Sequence, residues 1–224
     1  MSEKMLLSQS IKEQIQEMIF EKLKAGDRLP PEAELTEMFH VSRTSIREAL
    51  KALEAAKVVE KRNGGTYVVD KLQECFVDPL YVMTRLHVTK GEDLLYVREI
   101  LEGEAAALAA KNAGKERIQK MKMIVWMMQK PDITLEEYIP LDEEFHLLVA
   151  ESGENSILFQ LIKDITAVLV KLYSKCCTME YIQSEAIYHH IKLVEAIEAG
   201  DTQTAKEILV QHIRGSNLLL KEGI

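Results

Sequence analysis

The chain is poor in the features that secreted, membrane-spanning and disulfide-held proteins rely on. Its 224 residues include three cysteines, five prolines and one tryptophan. Cys75, Cys176 and Cys177 form neither a zinc-binding spacing nor a paired framework, and adjacent Cys176 and Cys177 would leave a helix in different directions. A reduced, cytoplasmic setting is the simplest expectation. No apolar run approaches the roughly 20 residues that cross a bilayer. The amino end carries Glu3 and Lys4 without the apolar core of a signal peptide. Bulk positive charge is lacking too: 28 Lys and Arg stand against 36 Asp and Glu, a net charge of −8. Residues 1–72 hold 12 of each sign, so the whole acidic excess lies in the remainder. Any affinity for nucleic acid must then come from local placement of Lys and Arg. It would be modest per copy, which favours a homodimer.

What is present is enough for two globular domains, with 47% hydrophobic and 29% charged residues. The most informative stretch is GDRLPPEAELTEMFHVSRTSIREAL, residues 26–50. Leu35, Met38 and Phe39 fall at helical spacing. His40-Val41 reads as a tight turn, with Val41 inward, and Ser42 as the N-cap of a second helix. On that helix Ile46, Ala49 and Leu50 face a core, while Arg43, Thr44 and Arg47 face out. An exposed first turn bearing Arg and Thr suits the major groove, where Arg pairs with guanine and Thr reaches a phosphate or a thymine methyl. The same pattern also fits a solvated helix pair in an ordinary bundle. A preceding helix, Ser8 to about Lys24, carries Ile11, Ile15, Met18, Ile19 and Leu23 on one stripe.

Two β-branched runs, Val58-Val59 and Thr66-Tyr67-Val68-Val69, flank Asn63-Gly64-Gly65 and spell a β-hairpin. A helix-turn-helix followed by a basic-edged hairpin is a winged helix, with Arg62 and Asn63 expected at the wing tip and Gly64 allowing close backbone approach. The sequence here resembles the GntR family of bacterial transcription regulators. The matching residues are Gly26-Asp27-x-Leu29-Pro30, Glu32-x-x-Leu35, Val41-Ser42-Arg43-x-x-Ile46-Arg47-Glu48-Ala49-Leu50 and Gly64-Gly65-Thr66-x-Val68. The resemblance spans about residues 8 to 70. It implies contacts to a double-stranded, palindromic DNA operator from Ser42, Arg43, Thr44, Arg47, Arg62, Asn63 and Gly64. Ala33 departs from the family, where an Arg often reads a base, so the operator sequence does not carry over from relatives.

Lys71 to Glu74 reads as a linker, and from Cys75 onward helical patterns follow one another without a convincing strand. Expected helices run Val77 to Leu86, Asp93 to Lys111, Lys115 to Gln129, Thr134 (opening a capping box with Glu137) to Ser152, Ser156 to Cys176, Tyr181 to Ala199, and Asp201 to about Lys221. The expected fold class is therefore mainly α: a winged helix-turn-helix of three helices and a β-hairpin over residues 1–71, then an all-α bundle of about seven helices over 76–224. Trp126 with Met121, Met123, Met127 and Met128 reads as packing against the core or a dimer neighbour rather than a soft partner surface.

Asp142 and His146 stand i, i+4 on one helix face, and His190 and His212 fall on later helices. His189, next to His190, should face another way. One carboxylate and three imidazoles suit Zn, Ni or Mn better than Ca or Mg. This half resembles the ligand domain of the FadR-type branch of GntR regulators, called FCD. The residues are Arg98-x-x-Leu101-Glu102, Asp142-x-x-Phe145-His146, Gly153-x-Asn155, His190 with Ala196-Ile197-x-x-Gly200-Asp201, and His212. It implies a divalent transition metal held by Asp142, His146, His190 and His212. Four protein ligands leave positions that a small carboxylate effector, better an α-hydroxy carboxylate, would fill. Arg98 on an apolar face needs an anionic partner, either Glu102 or the effector, and Tyr173 is a further candidate effector contact.

The expected function is a ligand-responsive regulator, a repressor as is common in the family. A metal-independent acyl-CoA sensor would need no metal ligands, and all four are present. A metal-dependent hydrolase or isomerase fused to a DNA domain would need a general base, and Glu143 and Glu144 leave their helix at other angles than Asp142.

Overall fold

The computed structural model describes residues 3–70, 77–88, 90–173 and 185–222, and the side-chain surroundings of 10–70, 77–88, 90–171 and 185–215. The chain forms two compact units, Met1–Gln73 and Glu74–Ile224. The Lys71 to Glu74 linker and all three cysteines fall outside the described residues.

In the first unit, α1 (Glu3–Lys22), α2 (Glu32–Phe39) and α3 (Arg43–Ala55) precede β1 (Val59–Arg62) and β2 (Gly65–Val68). The stripe on α1 does its expected work: Ile11, Ile15, Met18 and Ile19 are buried against Leu35 of α2 and Ile46, Ala49, Leu50 and Leu53 of α3. The helix starts earlier than Ser8, because nothing in Lys4 to Leu7 breaks it. It stops short of Lys24, whose backbone N–H donates to Asp27 Oδ2 at 2.8 Å. The turn between α2 and α3 rests on His40 in the left-handed region at φ +52°, and Val41 packs half-buried on the core. Ser42 caps α3 by accepting the Ser45 N–H at 3.1 Å. Met38 turns outward.

The strands pair antiparallel with Arg62 opposite Gly65. That register leaves Asn63-Gly64 as a two-residue turn, at φ +32° and +75°. Positive φ at both positions is the type I′ requirement, which Asn-Gly meets at little cost. The segment before α2 joins the hairpin, with the Leu29 N–H donating to the Thr66 carbonyl at 2.8 Å and the Gly26 N–H to the Val68 carbonyl at 3.0 Å.

The second unit has seven helices among the described residues: α4 (Val77–Arg85), α5 (Gly91–Asn112), α6 (Lys115–Met128), α7 (Leu135–Ser152), α8 (Ser156–Tyr173), α9 (Ile187–Ala199) and α10 (Thr202–Glu222). With the winged helix this is the mainly α fold read from the sequence. The stops and starts have local causes. Thr134 and Glu137 close a reciprocal capping box at α7. Gly200 ends α9 at φ +72°, and Asp201 Oδ1 accepts the Thr204 N–H at 3.1 Å to open α10. The helix α5 packs against α7, α8, α9 and α10. Its alanines let neighbours come close, and Gly103 faces Val210 of α10, where an added Cβ would lie 2.7 Å from Val210 Cγ2. Met121 and Met128 fill the core, whereas Met123 faces out and Trp126 is 74% exposed, so the tryptophan packs on no core here. The first turns of the expected Tyr181 helix and the last of the Ser156 helix fall outside the described residues.

Candidate metal centre and nucleic-acid face

The bundle gathers four donors from three helices. Asp142 and His146 come from α7, His190 from α9 and His212 from α10. One donor atom from each lies within 4.8 Å of every other. The three imidazoles are buried and the Asp142 side chain is 28% exposed, so the cluster has one wetter side. Along α7, Tyr138 donates its hydroxyl to Asp142 Oδ1 at 3.0 Å, which fixes the carboxylate one helical turn before His146.

His190 is the telling member. It is fully buried, and neither ring nitrogen makes a hydrogen bond among the described residues. Its Nε2 points at Asp142 Oδ1 across 3.4 Å, and the Phe145 ring packs on it with centroids 4.6 Å apart. An unsatisfied buried imidazole costs free energy unless something accepts or donates there. An ion taking the Nε2 lone pair would satisfy it. Burial, only partly offset by Asp142, pushes His190 down to about 3. Burial and then the nearby His190 hold His212 well below the ordinary value. Both are therefore neutral near pH 7, the form that coordinates a metal. Imidazole nitrogens from three histidines and a carboxylate oxygen fit a divalent transition metal.

His146 differs. Its Nδ1 lies 2.5 Å from Glu102 Oε2 on α5, and its Nε2 lies 3.1 Å from His212 Nε2. Burial opposes its charge, but Glu102 and then Asp142 outweigh burial, and its pKa is raised. Burial would raise Glu102, yet Arg98 and His146 together overcome this and hold it at about 2. Arg98, the expected effector clamp, donates from Nε to Glu102 Oε1 at 2.6 Å. The intramolecular partner weighed for Arg98 is thus real. The sequence pattern marks Glu102 only as that partner. Its bond to His146 joins two helices, and no local spacing announces it. Tyr173 closes α8, but its side chain lies outside the described residues. His189 stays outside the four-donor cluster. It does not turn fully away, since its ring meets His212 edge-on with centroids 6.0 Å apart. A 100° step along α9 moves it to the flank of the cluster rather than to the opposite face.

On the first unit, Ser42, Arg43, Thr44 and Arg47 are exposed together at the start of α3, opposite buried Ile46, Ala49, Leu50 and Leu53. Ser42 is already engaged in capping. Arg47 donates from Nε to Glu32 Oε2 at 2.7 Å, which orients its guanidinium along α2. The wing tip is Asn63-Gly64. Arg62, expected there, stands one residue short because the register pairs it with Gly65. Its guanidinium turns onto Asp70 at 2.7 Å and onto Glu60. Arg28 is the variable residue of the Gly26 motif, and nothing in the sequence marks it. It lies under the wing, its Nε 2.7 Å from where a Cβ on Gly65 would sit. It also lines a cavity of about 370 Å³ with Pro31, Glu32, Lys61 and Asn63.

A winged helix carrying exposed Arg and Thr, joined to a helical bundle with a buried His/Asp cluster, defines a class of DNA-binding regulators with a ligand domain. Residues 7–69 match the bacterial regulatory proteins of the gntR family, and residues 93–215 match the FCD domain. The Uxu operon transcriptional regulator of Escherichia coli (strain K12) is 32% identical over 209 residues, covering 88% of this chain and 79% of that protein. The HTH-type regulator YcbG of Bacillus subtilis (strain 168) is 30% identical over 193 residues, covering 86% and 80%. Among solved structures, a GntR protein of Streptococcus agalactiae matches over 95% of this chain and 99% of its own, with a TM-score of 0.67 at 22% identity, a likeness of fold. The chain belongs to the GntR family and carries an FCD domain. It is a ligand-responsive transcription regulator, not an enzyme. No described helix is long and apolar enough to cross a membrane.

Proposed function

We propose that this regulator senses a small organic carboxylate through a divalent transition metal held by Asp142, His146, His190 and His212. The observation that carries the reading is His190, fully buried with two ring nitrogens that make no hydrogen bond among the described residues, facing the other three donors. A bound metal would supply open coordination positions for carboxylate and hydroxyl oxygens. Arg98, held beside the cluster by Glu102, would add a charge-assisted hydrogen bond to the effector. A relative of 29% identity in E. coli K12, provisionally named as the regulatory protein of an L-lactate dehydrogenase operon, adds support for an α-hydroxy carboxylate.

The DNA partner in this reading is a palindromic operator, bound by a cytoplasmic homodimer through Arg43, Thr44 and Arg47 in the major groove and Asn63-Gly64 at the wing. Effector binding shifts the bundle between states of different operator affinity, and the regulator represses in the effector-free state. Thermal-shift screening of the zinc-loaded protein against small carboxylates tests it. A ligand that prefers the native state raises the melting temperature, and the response should vanish on chelation. A response that survives complete chelation contradicts the metal-mediated reading.

A further inference from the structure

The Glu102 carboxylate bridges two groups with different tasks. Oε2 meets His146 Nδ1 at 2.5 Å, and Oε1 accepts from Arg98 Nε at 2.6 Å. All three side chains are buried or nearly so, and the Arg98–Glu102 pair is one turn of α5. A carboxylate is an acceptor only, and a guanidinium a donor only. The Glu102 geometry therefore requires a proton on His146 Nδ1. A neutral ring protonated there presents its lone pair at Nε2, and Nε2 is the nitrogen that faces His212 and Asp142.

We propose that Glu102 is the positioning residue of the metal centre: it sets the His146 tautomer and ties the effector-binding arginine to a metal-binding histidine. The proposal rests on the metal-centre reading above. A ligand histidine whose other nitrogen donates to a carboxylate is oriented and made more basic, and loss of such a partner lowers metal affinity by about 10- to 100-fold. The link to Arg98 gives the arrangement a second property. An effector that pulls the Arg98 guanidinium away from Glu102 would loosen the anchor of His146, so effector and metal affinities would be coupled, and by linkage the coupling would be reciprocal.

Arg98 makes the conservative substitution harsh. In Glu102→Gln the amide must offer its oxygen to Arg98, which can only donate. The amide NH2 then faces His146 Nδ1 and demands a lone pair there. The proton moves to Nε2, where it blocks coordination. Glu102→Gln should therefore cost zinc affinity as heavily as Glu102→Ala. In the double variant Arg98→Met with Glu102→Gln, the amide is released to turn its oxygen to His146, and zinc affinity should partly recover.

The experiment is zinc titration against a competing chelator, with 15N-histidine NMR of the metal-free full chain at a pH high enough for the His146 ring to be neutral, on wild type, Glu102→Ala, Glu102→Gln and the double variant. The expected result is an Nδ1-bound proton on His146 in wild type, its loss in both single variants, a zinc affinity lower by about 10- to 100-fold in each, and partial recovery in the double variant. Zinc affinity and tautomer both unchanged in folded Glu102→Gln would overturn the proposal. The metal-free spectra separate the two failures. A wild type that binds none of zinc, nickel and manganese refutes the metal-centre reading, while the His146 tautomer still decides whether Glu102 sets it.

Discussion

Asp142 Oδ1 stands 3.4 Å from His190 Nε2, a carboxylate of α7 facing a buried imidazole of α9 that makes no hydrogen bond among the described residues. The contact is long for a hydrogen bond and close for two donors of one ion. It lies at the junction of α7, α9 and α10, where the four donors converge.

On the DNA side, Arg43→Ala and Arg47→Ala should each weaken operator binding by about 1–3 kcal/mol and flatten base preference at their positions. Both side chains are exposed, and the Arg47–Glu32 pair, 65% and 40% exposed, contributes little to stability. Melting temperatures should therefore stay near wild type. Fluorescence anisotropy with operator and scrambled DNA measures the loss, and normal binding by both folded variants would displace the recognition surface from α3.

Gly103→Ala should separate α5 from α10. The new Cβ would meet Val210 Cγ2 at 2.7 Å, two residues before His212. Overpacking of this kind costs about 1–3 kcal/mol, and the displaced His212 should lower zinc affinity as well. Chemical denaturation and zinc titration on the same variant read both effects. Wild-type stability would mean that α10 yields freely there.

Acid should weaken the metal-free protein in two stages. His190 sits at about 3 when folded, against an ordinary 6.5, so its contribution is whole above 6.5 and is lost as pH falls toward 3. His212, also lowered, acts in the same direction. Glu102, held at about 2 against 4.5, adds a loss that begins only below 4.5. His146 is raised, so its contribution fades instead as pH climbs above 6.5. Calorimetric melting should fall between pH 6.5 and 4.5 in wild type and fall less in His190→Phe. An equal slope in the two proteins would contradict the assignment.

Much of this was legible in the sequence because the signals are local. Ser42 announces its helix, Thr134 and Glu137 theirs, and Asn63-Gly64 the hairpin turn. The i, i+4 spacing of Asp142 and His146 fixes one edge of the cluster. What escaped depends on contacts between elements. The Glu102–His146 bond crosses from α5 to α7, and Arg28 reaches the wing only because the segment before α2 pairs with β2. Arg62 falls one residue short of the tip, because hairpin register decides the tip and composition does not. Trp126 carried no periodicity strong enough to tell a core face from an outer one.

A near-neutral DNA-binding half points to paired half-sites, so sedimentation should return a dimer both free and on operator DNA, with a footprint of two-fold symmetry. A monomer protecting one asymmetric half-site would contradict the assembly.

The central claim is tested most directly by elemental analysis of wild type, His190→Ala and His189→Ala purified side by side. The account predicts about one divalent transition metal per chain in wild type and in His189→Ala, and strong loss in His190→Ala with a lower melting temperature, since bound metal adds to native stability. Metal retained in His190→Ala and lost in His189→Ala would contradict it.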